Sequence, residues 1–159
     1  DFTYGFNIYL EYKNFDFTAF FQGVQGVDII SDLKKETDIW AGLNIGFLNK
    51  GRRLLDAWSA TNPNSNIPAV SLSDNNNEKR VSSYWVENGS YLKLRTVQIG
   101  YNVPKSFAQK LAMERLRFYL SAQNLFTVKS SSFTGVDPEN PNYGYPIPLN
   151  ITFGLNVTF

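Results

Sequence analysis

The chain has 159 residues, 43% apolar and 16% aromatic, with 15 basic against 14 acidic side chains and a formal net charge of +1. That balance supplies no basic field for nucleic acid, and the absence of Cys and His removes disulfide frameworks, the usual zinc sites and Cys/His nucleophiles. Apolar runs are only a few residues long, against the roughly 20 a helix needs to cross a bilayer.

Phe2, Tyr4, Phe6, Ile8, Leu10 and Tyr12 alternate with Thr3, Gly5, Asn7, Tyr9 and Glu11, the two-residue period of a strand with one apolar and one polar face. Lys13-Asn14 makes a tight turn, and Phe15, Phe17, Ala19, Phe21 and Gly23 carry the pattern back, which predicts a hairpin. A long connection follows, over residues 27 to 90. Within it NKGRRLLDAWS predicts a short helix with Leu54, Leu55 and Trp58 on its packed side. A third strand runs through YLKLRTVQIGYNV, with Val97, Ile99, Tyr101 and Val103 opposite Thr96, Gln98, Gly100 and Asn102. Leu92 and Leu94 have the other parity, so a bulge, or an exit from the buried zone, is expected near Arg95. Pro104 ends that strand, and KSFAQKLAME predicts a short helical turn. Leu116, Phe118, Leu120, Ala122 and Phe126 mark the fourth strand. After a second long connection over 128 to 148, Leu149, Ile151, Phe153, Leu155, Val157 and Phe159 mark the fifth, opposite Asn150, Thr152, Gly154, Asn156 and Thr158.

Each alternating segment is about 9 to 12 residues long, which fits the 9 to 11 of a tilted transmembrane strand better than the 5 or 6 of a globular one. Short and long connections alternate, an asymmetry typical of outer-membrane barrels. On the apolar faces so drawn the only charges are Lys93 and Arg95, beyond the parity break, while Glu11, Asp16 and Arg117 fall on the polar face. An Arg or Lys at the midplane of a lipid face costs about 2 to 4 kcal/mol, so this distribution is the expected one. Five strands do not close a barrel, and an open sheet in lipid leaves two edges of unpaired backbone groups. The chain is therefore expected to be part of a larger barrel. Its start, Asp1-Phe2-Thr3 with no Met and no leader-like stretch, leaves either a removed leader or a longer parent as the expectation.

Three stretches, YWVENGSYLKLRTVQIGYNVPKSF (Tyr84 to Phe107), LRFYLSAQNLFT (Leu116 to Thr127) and GVDPENPNYGYPIPLNITFGLNVTF (Gly135 to Phe159), resemble the end of SusC/RagA-type TonB-dependent outer-membrane transporters. FFQGVQGVDI and WSATNPNSNIPAV look like an earlier strand and loop of the same family. Where the family commonly has Trp-Thr-Pro-Glu-Asn-Pro, this chain departs from it with Trp58-Ser59-Ala60-Thr61-Asn62-Pro63, preceded by Ala57 where Arg is usual. The resemblance implies an all-β fold, the last five antiparallel strands of a plugged barrel of about 22 strands, with the plug domain and N-terminal strands absent from residues 1 to 159. It implies import of oligosaccharides or peptides, a SusD-like surface lipoprotein as lid, and the TonB system acting through the missing N-terminal region. Long loops would be extracellular and short turns periplasmic. The final strand, with Phe153, Leu155, Val157 and Phe159, resembles the signal read by the barrel assembly machinery, an amphipathic strand able to add to another sheet edge.

The long connection also holds Trp40, Trp58, Tyr84 and Trp85, of which Trp58, Tyr84 and Trp85 are candidates for contact with substrate or lid. The competing role is packing the loop onto the barrel rim, where aromatic rings supply much of the buried area. Lys50, Arg52 and Arg53 read as a solvated charge cluster more readily than as an anion site. Asp74, Asn76 and Glu78 alternate as in a calcium loop but lack its Gly and distant Glu. The glycosylation-like triplets at Asn88, Asn150 and Asn156 carry no weight on alternating strands. Asp137 and Glu139 have no base or nucleophile placed beside them, so no enzyme, metal or cofactor is expected. Two other readings remain. One is a soluble carbohydrate-binding β-sandwich. The other is a small independent pore with extra strands in the long connection, for which Ile39, Ala41, Leu43, Ile45 and Phe47 alternate.

Overall fold

A computed structural model describes residues 1–38, 50–71, 77, 80–142 and 144–159, apart from the side chains of Lys35 and Glu36. The strands among these residues are β1 (Phe2–Tyr12), β2 (Phe15–Gln25), β3 (Asp28–Ile30), β4 (Val86–Asn88), β5 (Tyr91–Asn102), β6 (Arg115–Lys129) and β7 (Asn150–Thr158). Five of them form one antiparallel sheet in the order β1-β2-β5-β6-β7, and β3 pairs with β4 in a separate small sheet. The chain divides into two compact units. The first is Asp1–Val27, Ser90–Lys129 and Ile147–Phe159, and the second is Asp28–Gly89 with Ser130–Pro146.

In the first unit, the five long strands stand where the two-residue alternation put them. The β1–β2 turn places Lys13 in the left-handed region at φ 55°. The turn between β5 and β6 contains a one-turn helix (Lys105–Ala108), followed by a 3-10 turn over Gln109–Leu111. Both short connections lie at one end of the sheet, and both long ones leave from the other. Register carries the alternation across all five strands. Leu10, Phe17, Ile99, Leu120 and Phe153 form one cross-strand row on the apolar face, and Ile8, Ala19, Val97, Ala122 and Ile151 form the next.

The parity break in β5 is a bulge. Thr96 pairs with Phe20 and Leu94 with Phe21, so Arg95 is the extra residue against β2, while β6 answers with Asn124-Leu125 and a left-handed Asn124 at φ 55°. The bulge corrects the expectation that Lys93 and Arg95 sit on the apolar side. It returns Leu92 and Leu94 to the apolar face, opposite Gly23 and Phe21, and turns Lys93 to the polar face opposite Gln22. Arg95 Nε donates to Gln22 Oε1 at 2.9 Å, on that same polar face. The strands' apolar face then carries no charge.

Few large apolar side chains are buried. Ala19, Leu94 and Leu116 are the buried apolar residues of the strands' apolar face, while Phe6, Leu10, Ile99, Leu120, Phe126, Ile151, Phe153 and Leu155 stay exposed. A sheet that left this much apolar surface facing water would lose the main driving force of folding, so this face requires an apolar solvent or a partner.

In the second unit, a short helix, α1, spans Asp32–Thr37. Ser31 caps it, its side chain accepting from the Lys34 N–H, and the Asp32 N–H donates to the Pro141 carbonyl at 3.1 Å. The stretch predicted as a short helix is a 3-10 turn over Arg52–Asp56. Its expected packed side is corrected: Leu55 is 83% exposed and Trp58 48% exposed. Asp74, Asn76, Glu78, Trp40 and the alternating stretch from Ile39 to Phe47 lie outside the described residues.

Candidate functional site

Three features of the two units bear on function. The first is the apolar face of the five-stranded sheet. At the short-turn end it terminates in an aromatic row, Tyr12, Phe15, Tyr101 and Phe118, paired strand to strand. The Phe15 and Tyr101 rings lie 4.8 Å apart. On β7, Phe153 is 68% exposed, Leu155 is exposed as well and Val157 is only partly covered; Phe159, just past the strand, is also exposed. Among the described residues β7 pairs only with β6 and β1 only with β2, so each presents a free edge.

The second is an ion pair on the opposite, polar face. Arg117 of β6 reaches over Gly100 of β5 to Asp16 of β2, donating from Nε to Asp16 Oδ2 at 3.0 Å and from Nη2 to Oδ1. Asn102 Nδ2 adds a donor to Asp16 at 3.2 Å, and Arg115 holds Asn102 Oδ1 at 3.2 Å. Strand parity made Asp16 and Arg117 polar-face residues. Their contact needed the register, because β5 lies between them and only a residue without Cβ at position 100 leaves room.

The third is a polar network inside the second unit. Asp38, fully buried, accepts from Arg53 Nε at 2.7 and 2.8 Å and from the Tyr84 hydroxyl at 2.7 Å. Lys34 donates to the Tyr84 carbonyl, sits 4.1 Å from the centre of the Tyr84 ring, and pairs with Glu87 at 3.6 Å. Glu87, also buried, accepts from the Thr134 N–H at 2.9 Å and from its hydroxyl. Burial pushes the Tyr84 phenol far above its ordinary range, reinforced by the hydrogen bond to Asp38. Burial lowers the Lys34 ammonium, against the pull of Glu87. Both carboxylates are engaged as acceptors, so the network works as a cross-link between four chain segments rather than as acid-base machinery.

The aromatic candidates separate. Trp85 is 3% exposed, edge-on to Tyr84 at 5.0 Å, with its indole N–H donating to the Arg80 carbonyl. Tyr84 is half-buried, its hydroxyl committed to Asp38. Trp58 is exposed at the entrance of a hydrogen-bonded loop: its N–H donates to the Ile67 carbonyl at 2.8 Å, and Asn62 ties back to Ser59 and Asp56. Arg53 leaves the expected solvated cluster to hold Asp38, whereas Arg52 stays exposed. Asp137 is buried in a turn, its carboxylate accepting from the Glu139 N–H at 3.0 Å. The Asp38, Glu87 and Lys34 network escaped sequence reasoning because its partners are 15 to 53 residues apart; the Ser31 cap was the one local signal.

No family model matches the chain. TonB-dependent receptor P3 of Formosa agariphila is 37% identical over 175 residues, which is all of this chain and 16% of that protein. TonB-dependent receptor P26 of the same bacterium is 34% identical over 177 residues, all of this chain and 17% of that protein. Among solved structures, the RagAB peptide transporter superposes with a TM-score of 0.76 at 27% identity, over 98% of this chain and 17% of that one. The RagAB peptide importer in its open-open state gives 0.77 at 26% identity, over 99% and 17%. The chain belongs to the SusC/RagA-like TonB-dependent receptors. It spans about one-sixth of the length of the relatives it matches. The apolar face of this receptor segment is thus part of the lipid-facing surface of an outer-membrane β-barrel, and its terminal aromatic row has the composition of an interfacial girdle. The relatives are receptors and transporters, in keeping with a chain that is not an enzyme.

Proposed function

We propose that residues 1–159 are the C-terminal five-stranded arc of a TonB-dependent barrel of about 22 strands, whose plug domain and earlier strands lie outside this sequence. The whole receptor imports oligosaccharides or peptides with a SusD-like surface lipoprotein as lid, and the TonB system drives the plug through the N-terminal region. The long connections, which leave the sheet at the end away from the short turns, are extracellular, and the short-turn end with Phe159 faces the periplasm. In biogenesis Phe153, Leu155 and Val157 on β7, with Phe159 just past it, are read by the barrel assembly machinery, and the free β7 edge then pairs with the first strand of the barrel. The observation that carries the reading is the uncovered, uncharged apolar face of five long strands in a chain matched over its whole length by TonB-dependent receptors.

Of the loop aromatics, Trp58 with its neighbour Leu55 is the contact for lid or substrate, since both are exposed on a tied loop. Tyr84 and Trp85 instead hold the second unit together. The RagAB transporter and importer are named for peptides, which favours a peptide substrate here. Uptake of labelled peptides and of labelled oligosaccharides by cells carrying or lacking the whole receptor, with and without TonB, tests this. Import that needs both the receptor and TonB is expected. Equal uptake without the receptor, or purification of the whole receptor as a soluble monomer without detergent, refutes it.

A further inference from the structure

Two pockets of the second unit share a wall. One, of about 460 Å³, is lined by Leu33, Val136, Asn142, Gly144 and Tyr145. The other, of about 400 Å³, is lined by Leu33, Thr37, Gly51, Arg52, Arg53 and Thr134. Leu33 belongs to both, so an apolar recess and a cationic one adjoin at a single side chain of α1. Hydrogen bonds fix the walls. The Asp32 N–H donates to the Pro141 carbonyl at 3.1 Å, tying α1 to the segment that carries Asn142 and Tyr145, and the Gly51 N–H donates to the Thr37 carbonyl at 3.0 Å. Asn140 Nδ2 donates to the Tyr145 carbonyl at 3.4 Å, which closes that segment on itself.

The two recesses differ in chemistry. Val136 is 58% exposed and Tyr145 95% exposed, two large apolar surfaces left uncovered beside Leu33. In the other recess Arg53 gives Nε to buried Asp38, while Arg52 is exposed and pairs with no carboxylate among the described residues. Among the charges that line or directly back this recess, Arg53 is offset by Asp38 and Glu87 by Lys34, so Arg52 leaves one positive charge in excess. The described lining residues of the two pockets include no carboxylate. A neutral sugar would leave that charge unanswered. A peptide can answer both recesses at once, with a carboxylate on the guanidinium and an apolar side chain next door, and pockets of this size are those of ligand sites.

We propose that the adjoining pockets form a subsite for a peptide that carries a carboxylate next to an apolar side chain. Arg52 takes the carboxylate, and Leu33, Val136 and Tyr145 take the apolar group. This deepens the reading of the chain as part of a peptide importer and rests on it. The carboxylate is either the peptide's own C-terminus, following an apolar last residue, or an Asp or Glu side chain beside an apolar residue. The test measures binding to the whole receptor in detergent by fluorescence anisotropy. The probes are short Gly-Ser peptides with a neutral dye at the N-terminus: one ending in Phe as the free acid, the same peptide as its C-terminal amide, one ending in Ser as the free acid, and amidated peptides with internal Asp-Phe or Asn-Phe. Preference for the Phe acid over its amide marks the C-terminus as the source, and preference for Asp-Phe over Asn-Phe marks the side chain. Whichever carboxylate is read should bind about tenfold tighter than its neutral counterpart, the effect of one hydrogen bond to a charged group. Arg52→Gln should erase that preference. Tyr145→Ser should weaken the Phe-containing peptides and leave the carboxylate preference in place. Arg53 is kept, because it holds Asp38. If peptides bind with no preference for a carboxylate, or if Arg52→Gln leaves the preference intact, the subsite is refuted and the peptide reading stands. If no peptide binds, whether or not a uronic-acid oligosaccharide does, the subsite and the peptide reading fall together.

Discussion

At Asp38 a carboxylate without solvent contact is held by the Arg53 guanidinium and the Tyr84 hydroxyl. Removing one partner of a buried pair strands the other charge, so Asp38→Ala is expected to destabilise the second unit by about 3 kcal/mol, read as loss of protease protection in the whole receptor. Asp38→Asn, which keeps an acceptor for Tyr84, should cost less. Gly100 makes a comparable demand from sterics. A Cβ there would lie 2.4 Å from Arg117 Nη2 and 2.5 Å from Asp16 Oδ2. Gly100→Ala should separate that ion pair and cost about 1 to 3 kcal/mol in thermal melting, as overpacking does. Gly144→Ala, with nothing within 4 Å of the new Cβ, should be neutral. Tyr84 gives a pH signature. Its folded value lies above the ordinary 10.0, so its contribution to stability is complete below pH 10.0 and is lost as pH rises toward the folded value. Lys34, lowered in the folded state, acts oppositely below its ordinary 10.5 and contributes no further change above it. Above pH 10.5 the second unit should therefore weaken. Phenolate absorbance should show one tyrosine titrating last, a component that Tyr84→Phe removes.

The elements are organised by the two-residue period, and the β5 bulge shows how strictly. Without the extra residue at Arg95, Lys93 would turn toward lipid while Leu92 and Leu94 turned toward the polar side, since a one-residue slip moves a strand's whole set of side chains across the sheet. The same rule separates two substitutions one residue apart on β7. Phe153→Arg puts a charge on the lipid face and is expected to cost about 2 to 4 kcal/mol, whereas Thr152→Arg on the polar face should be tolerated. The folded fraction of each whole-receptor variant in lipid, measured by heat modifiability on gels, decides between them.

For the molecule as a whole, the two free edges set the behaviour. Among the described residues β1 and β7 each have one neighbour, and unpaired backbone groups in lipid cost several kcal/mol each. Residues 1–159 expressed without the rest of the barrel should therefore fail to insert stably into vesicles and should aggregate in buffer. A monodisperse, soluble, sugar-binding monomer would instead support the β-sandwich alternative.

The five long strands and the disturbance near Arg95 were legible in the residues, because side-chain alternation is a local property that needs no partner, whereas the three-residue strands β3 and β4 are too short to show a period. The resemblance of the final strands to SusC/RagA-type transporters was legible for the same reason: it resides in contiguous motifs. Tertiary structure alone decided that Arg95 is a bulge which leaves the apolar face uncharged, that Asp16 and Arg117 meet across Gly100, and that Arg53 is paired with buried Asp38 rather than left solvated. Each depends on which distant segment lies alongside, through register or packing, and such a pairing leaves no trace in the order of neighbouring residues.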